Sequence, residues 1–165
     1  MFTPNDLIDI AVKMEKNGQT IYLASVEKVK DKKLTSLLQW MADEEAAHRD
    51  WFLERKDEWG SASEQTDLET MLPDVIREMM GNKTLSLDEV DFSRIRSASA
   101  LLETFMEFEN DTILFYEFLQ AFIQDPRTLA GLEKIIQEEK NHVEKLEEMV
   151  QAISSKKVRE QPFDL

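Results

Sequence analysis

Glu45-Ala46-Ala47-His48 and Glu139-Lys140-Asn141-His142 decide how this chain reads. Each is a Glu-x-x-His step inside a run with helical periodicity. Residues i and i+3 share a helix face, so the carboxylate and the imidazole reach one region. Together the two steps use both histidines of the chain. They lie 94 positions apart (142 − 48), and the only two tyrosines, Tyr22 and Tyr116, have the same separation (116 − 22). That offset also relates Glu15 to Glu109, Glu45 to Glu139, Asp31 to Asp125 and Thr3 to Ser97. A fixed offset shared by rare residues marks an internal repeat. The chain reads as two copies of one helical hairpin, each supplying half of a central site.

Working outward, four long segments carry helical periodicity. The first is expected over 4–30, with Thr3 as cap and Pro4 in the first turn. The second is expected over 32–59, capped by Asp31 and ended by Gly60. The third is expected over 97–124. The fourth begins at Asp125-Pro126, a cap followed by proline at the first helical position, and runs to about Ser155. Residues 60–96 separate the two hairpins, with a short helix expected over 69–80. A connection this long lets the third helix begin at the far end of the bundle. The expectation is one all-α domain over 1–155, a four-helix bundle with a crossover at 60–96, followed by a flexible tail at 156–165.

A stride alternating three and four residues places one inward stripe on each helix. Ile8, Ala11, Glu15, Gly18, Tyr22, Ser25 and Val29 form the first. Leu34, Leu38, Met41, Glu45, His48 and Phe52 form the second. Ala98, Leu102, Phe105, Glu109, Thr112, Tyr116, Leu119 and Ile123 form the third. Thr128, Leu132, Ile135, Glu139, His142, Leu146, Met149 and Ile153 form the fourth. Each stripe is mostly apolar yet carries a Glu at mid-height. Four ionised carboxylates in one core would repel one another and lose their hydration, at several kcal/mol per ion unless compensated. A pair of divalent cations is the economical compensation. The candidate ligands are Glu15, Glu45, His48, Glu109, Glu139 and His142. Glu15 and Glu109 are read as terminal, Glu45 and Glu139 as bridging, and each His as binding one metal. Oxygen donors with two nitrogens suit iron or manganese, and zinc can occupy such a site.

Composition narrows the chemistry. The chain has no cysteine, so thiolate zinc sites, iron–sulfur clusters and disulfides are excluded. A net charge of −14 argues against nucleic acid or an anionic membrane as partner. No apolar run approaches the ~20 residues of a membrane span. The first residues lack the basic and apolar pattern of a signal peptide, so the expected location is cytoplasmic.

The pattern Met14-Glu15-x6-Tyr22, Asp43-Glu44-Glu45-Ala46-Ala47-His48, Glu109-x6-Tyr116 and Glu138-Glu139-Lys140-Asn141-His142 resembles the di-iron domain of rubrerythrin, within the ferritin-like superfamily. The likeness covers the four helices. It implies a non-haem site of two iron ions that reacts with peroxide or oxygen, and it implies a homodimer. Rubrerythrins proper add a rubredoxin-like domain with four cysteines. Here there is none, so an external electron donor would be needed. Typical members also carry a second Glu, three residues after the ligand of the third helix, that takes part in redox-linked ligand switching. Thr112 stands at that position.

Other residues read as support. Tyr22 and Tyr116 lie two turns from Glu15 and Glu109 on the same faces. Their hydroxyls can hydrogen-bond ligand carboxylates, or be satisfied as ordinary core groups. Glu44 and Glu138 can orient the imidazole of the opposite half, or lie solvated. Gly18 and Thr112, related by the same offset, either leave room for oxygen or peroxide or allow close helix packing. Trp40, Trp51 and Trp59 read as core or dimer contacts. Three functions stay open: an oxidoreductase reducing peroxide or oxygen, an iron-oxidising or iron-buffering protein, and a non-catalytic bundle stabilised by its metals.

Overall fold

A computed structural model describes residues 4–59, 87, 90–95 and 97–155. Four long helices dominate: α1 (Pro4–Val26), α2 (Lys32–Trp59), α3 (Ala98–Gln120) and α4 (Pro126–Ser155). A short 3-10 turn, Phe92–Arg94, precedes α3. No strand occurs among the described residues. The expectations for Thr3, Gly60, the short helix over 69–80 and the tail fall outside the described residues, as does the side chain of Trp59.

The caps lie where the repeat puts them. Asp31 Oδ1 accepts the backbone N–H groups of Lys33 and Leu34, at 2.9 and 3.0 Å. Asp125 Oδ2 accepts both the backbone N–H and the hydroxyl of Thr128, each at 2.8 Å. Ser97, extended at φ −135° and ψ 154°, accepts the N–H of Ala100 at 3.1 Å. Each oxygen satisfies donors that a helix start leaves unpaired. Two boundaries differ from the sequence reading. α1 stops at Val26 rather than residue 30, and α3 at Gln120 rather than 124. The apolar period continues past both ends, but the following helices start at 32 and 126. A helical hairpin needs several residues to reverse, and these loops take 27–31 and 121–125.

α1 packs along α2, and α3 along α4; the hairpins then face each other, α1 towards α3 and α2 towards α4. Cross-hairpin partners give the direction. Tyr22 meets Glu109 and Tyr116 meets Glu15, while His48 meets Glu139 and His142 meets Glu45. In each set the residue numbers keep a constant sum, the mark of antiparallel helices. α2 and α3 therefore run the same way. The end of α2 and the start of α3 thus lie at opposite ends of the bundle, about 42 Å apart for a helix as long as α2. Between them in sequence, Leu87 is buried, and its N–H donates to Asn17 Oδ1 of α1 at 2.6 Å.

The inward stripes fill the core. Ile8, Ala11, Leu34, Leu38, Leu102, Phe105, Leu119, Leu132 and Leu146 are buried, while Val29, Ala98, Ile123, Met149 and Ile153 are half-buried near the bundle ends. α3 buries a second line, Leu101, Phe108 and Phe115, at a seven-residue spacing. At mid-height the apolar filling gives way to charged groups, and that interruption is the site.

Candidate metal centre

Glu15, Glu45, His48, Glu109, Glu139 and His142 are all buried. Helical phase brings them together: one Glu comes from α1, one from α3, and a Glu-x-x-His step from each of α2 and α4. They form two groups. Ligand atoms of Glu15, Glu45, His48 and Glu139 lie within 4.8 Å of one another, and so do those of Glu45, Glu109, Glu139 and His142. Glu45 and Glu139 belong to both. Every ligand position read from the sequence is thus brought to one place.

Glu139 is central. Its Oε1 is 2.9 Å from His48 Nδ1, and its Oε2 is 2.9 Å from His142 Nδ1. His48 Nδ1 is 3.6 Å from Glu15 Oε2; His142 Nδ1 is 3.4 Å from Glu45 Oε1 and 3.6 Å from Glu109 Oε1. These contacts are close but not aligned as hydrogen bonds. Among the described residues, both oxygens of Glu45 and Glu139, Oε2 of Glu15 and of Glu109, and Nδ1 of both histidines have no hydrogen-bond partner. Buried polar atoms are normally paired. Here a whole set of orphaned polar atoms converges, and cations bound between them would satisfy the set. The donor set fits a pair of hard divalent ions.

Electrostatics agree. Burial pushes Glu15 up from its ordinary value, and it pushes Glu45 well above it, with Glu139 adding to both. Glu109 rises to about 8 by burial and the charge of Glu139. Burial also acts on Glu139, yet the two imidazoles hold its carboxyl below the usual range. Burial opposes protonation of the imidazoles, but the surrounding carboxylates win and raise His48 to about 12 and His142 to about 10. In the metal-free protein, protons stand where cations would offset the negative charge.

The two tyrosines act across the hairpins. Tyr22 donates its hydroxyl to Glu109 Oε1, and Tyr116 donates to Glu15 Oε1. Burial and the neighbouring carboxylates push both phenols well above their ordinary value, so they remain donors. Each bond ties down one oxygen of a carboxylate, and the other is buried without a hydrogen-bond partner among the described residues. Tyr22 also packs edge-on to Phe105, and Phe52 packs on Tyr116.

Gly18 lies against the Glu45 side chain of α2 and the Phe108 ring of α3. A Cβ there would lie 2.5 Å from Glu45 Oε2 and 3.2 Å from Phe108 Cε1. The missing side chain makes room for the Glu45 carboxylate itself. Its counterpart, Thr112, donates its hydroxyl to the Phe108 carbonyl at 3.0 Å. Glu138 does reach the opposite half, where its Oε2 lies 3.1 Å from His48 Nε2. Glu44 instead sits with His48 and Glu138. Trp40 packs edge-on to His142, and Trp51 covers Gly131. The sequence reading missed Lys134, which bridges Glu138 at 3.2 Å; its signal was the i,i+4 spacing. It also missed Asn17, whose role depends on a crossover partner no local pattern reveals.

No helix among the described residues is long and apolar enough to cross a membrane. A comparison with curated proteins found no match. Among solved structures, the chain is similar to a ferritin-like diiron-carboxylate protein of Thermotoga maritima, at 22% identity and a TM-score of 0.63, covering 91% of this chain and 95% of that one. That likeness supports the bundle fold. The family model for rubrerythrin matches residues 6–150, most of the chain and all the residues of the cluster, and the chain belongs to the rubrerythrin family.

Proposed function

We propose that the chain is a di-iron carboxylate oxidoreductase that reduces peroxide or oxygen, using electrons from an external donor. The observation that carries this reading is the pair of ligand groups sharing Glu45 and Glu139, with their inward atoms unpaired. Glu45 and Glu139 would bridge the two ions. Glu15 and Glu109 would be terminal, and His48 and His142 would each bind one ion through Nδ1. When bound, two ferrous ions supply the electrons that reduce the oxidant.

The protein's own contribution is positioning. Tyr22 and Tyr116 hold Glu109 and Glu15 by one oxygen each and keep those carboxylates from turning away. Ligand groups fixed this way need less reorganisation when charge changes at the site. Phe52, Phe105 and Phe108 line the surrounding core and exclude bulk water. Thr112 offers a short hydroxyl already engaged with its own helix, so α3 contributes Glu109 alone.

Stopped-flow mixing of anaerobically ferrous-loaded protein with peroxide tests the proposal. It expects oxidation much faster than that of free ferrous ion, with full recovery of the ferrous form on adding a reductant. Oxidation no faster than in solution, or retention of many irons per chain, would contradict it.

A further inference from the structure

The repeat makes the two halves of the cluster look equivalent, yet the outer sides of the two imidazoles are not. His48 Nε2 faces Glu138 Oε2 at 3.1 Å, and Glu138 is itself held by Lys134 at 3.2 Å. Glu138 is 28% exposed at its side chain, so this end of the cluster connects to solvent. His142 is fully buried, and its Nε2 has no hydrogen-bond partner among the described residues. The ring of Trp40 packs against it instead, with centroids 5.1 Å apart at 85°.

The difference is written in the sequence. Lys134 and Trp40 occupy matching positions of the two copies (134 − 40 is again 94), so one half has a charged brace where the other has an indole. Glu44, the counterpart of Glu138, lies beside His48 and Glu138 rather than on His142. A carboxylate accepting the outer N–H of a ligating imidazole fixes its tautomer, orients its ring and raises its basicity. A buried N–H without an acceptor does none of these and carries a desolvation cost.

We propose that the two metal positions are unequal and fill in order, the position at His48 being the tighter because Glu138 positions that imidazole. This rests on the di-metal reading above. Glu138 acts through His48 and is a positioning residue.

The test is titration of metal-free protein with Co²⁺ alone, followed by calorimetry and by the visible absorption of the bound ion. Wild type should bind in two resolved steps. Glu138→Ala should weaken the tighter step about 10- to 100-fold and leave the weaker one in place. Glu138→Gln, which keeps an acceptor oxygen, should recover part of the loss. In a His48→Ala background, Glu138→Ala should have no further effect, because the residue it positions is gone. Circular dichroism of each metal-free variant should match the corresponding parent. Two Co²⁺ ions binding with equal affinity, Glu138→Ala weakening both steps alike or neither, or an undiminished effect without His48 would each overturn the inference while leaving the di-metal reading intact. Wild type that does not bind two ions would overturn both.

Discussion

Tyr22 on α1 donates its hydroxyl to Glu109 on α3, and Tyr116 on α3 returns the same bond to Glu15 on α1. The bonds are related by the internal repeat, and together they stitch the two hairpins at the level of the cluster. Tyr22→Phe and Tyr116→Phe each leave a buried carboxylate oxygen without its donor, at about 1–3 kcal/mol. Urea unfolding of the metal-free proteins should show similar losses for the two variants. A clear loss for one and none for the other would argue that the hairpins are not joined symmetrically.

Stability of the metal-free protein should depend on pH in a particular direction. His48 and His142 are raised to about 12 and about 10, and Glu109 to about 8; Glu15 and Glu45 are raised as well. A raised folded value means that the native state keeps protons the unfolded chain has released. The slope of stability with pH then becomes negative. The carboxyl contribution is complete below their unfolded values near 4.5 and the imidazole contribution below 6.5. Both fall away as pH rises through the folded values. Glu139 has the opposite sign, but its lowered value places its effect at acid pH. The melting temperature of the metal-free protein should fall steadily from about pH 5 to pH 9. Metal ions replace those protons, so stabilisation by added metal should grow over the same range. A metal-free melting temperature that is flat or rising there would contradict the charge arrangement.

The two described glycines make a contrasting pair. At Gly18 a new Cβ meets the mobile end of Glu45, whereas at Gly131 it meets the Trp51 ring at 2.6 Å. Alanine in either helix gains up to about 1 kcal/mol of propensity. Gly18→Ala should therefore fold nearly as well as wild type but bind Co²⁺ on the order of tenfold more weakly. Gly131→Ala should show the reverse. Its rigid neighbour makes overpacking cost about 1–3 kcal/mol, lowering the melting temperature, while metal binding stays unchanged. Calorimetry and thermal melts of the two variants separate the outcomes.

Removing a shared carboxylate should empty the site, and removing one imidazole should empty its own metal position, without unfolding the bundle. Glu45→Ala is expected to lose bound metal, and His142→Ala the ion at its own position, while far-UV circular dichroism stays near wild type. The apolar stripes above and below the cluster carry the fold. Unchanged metal content in either variant would sink that ligand assignment.

Much of this was legible from residue spacing alone. The inward stripes, the caps at Asp31, Ser97 and Asp125, and the convergence of the six carboxylate and imidazole residues all follow from helical phase. Helical phase is local and strictly periodic. What failed to read out was set by partners distant in sequence. The ends of α1 and α3 depend on where the next helix begins. Gly18 read equally as room for oxygen or peroxide and as close helix packing, because the position of the Glu45 side chain from α2 is not encoded in α1. The repeat also suggested matching roles for Glu44 and Glu138, and only the packing of Trp40 and Lys134 separates them.

Elemental analysis of protein purified anaerobically, loaded with ferrous iron and freed of excess metal, tests the central claim most directly. The two groups sharing Glu45 and Glu139 predict about two irons per chain. A chain that retains no iron, or none beyond what Glu45→Ala retains, would leave the buried, unpaired carboxylates without a metal role and contradict the account.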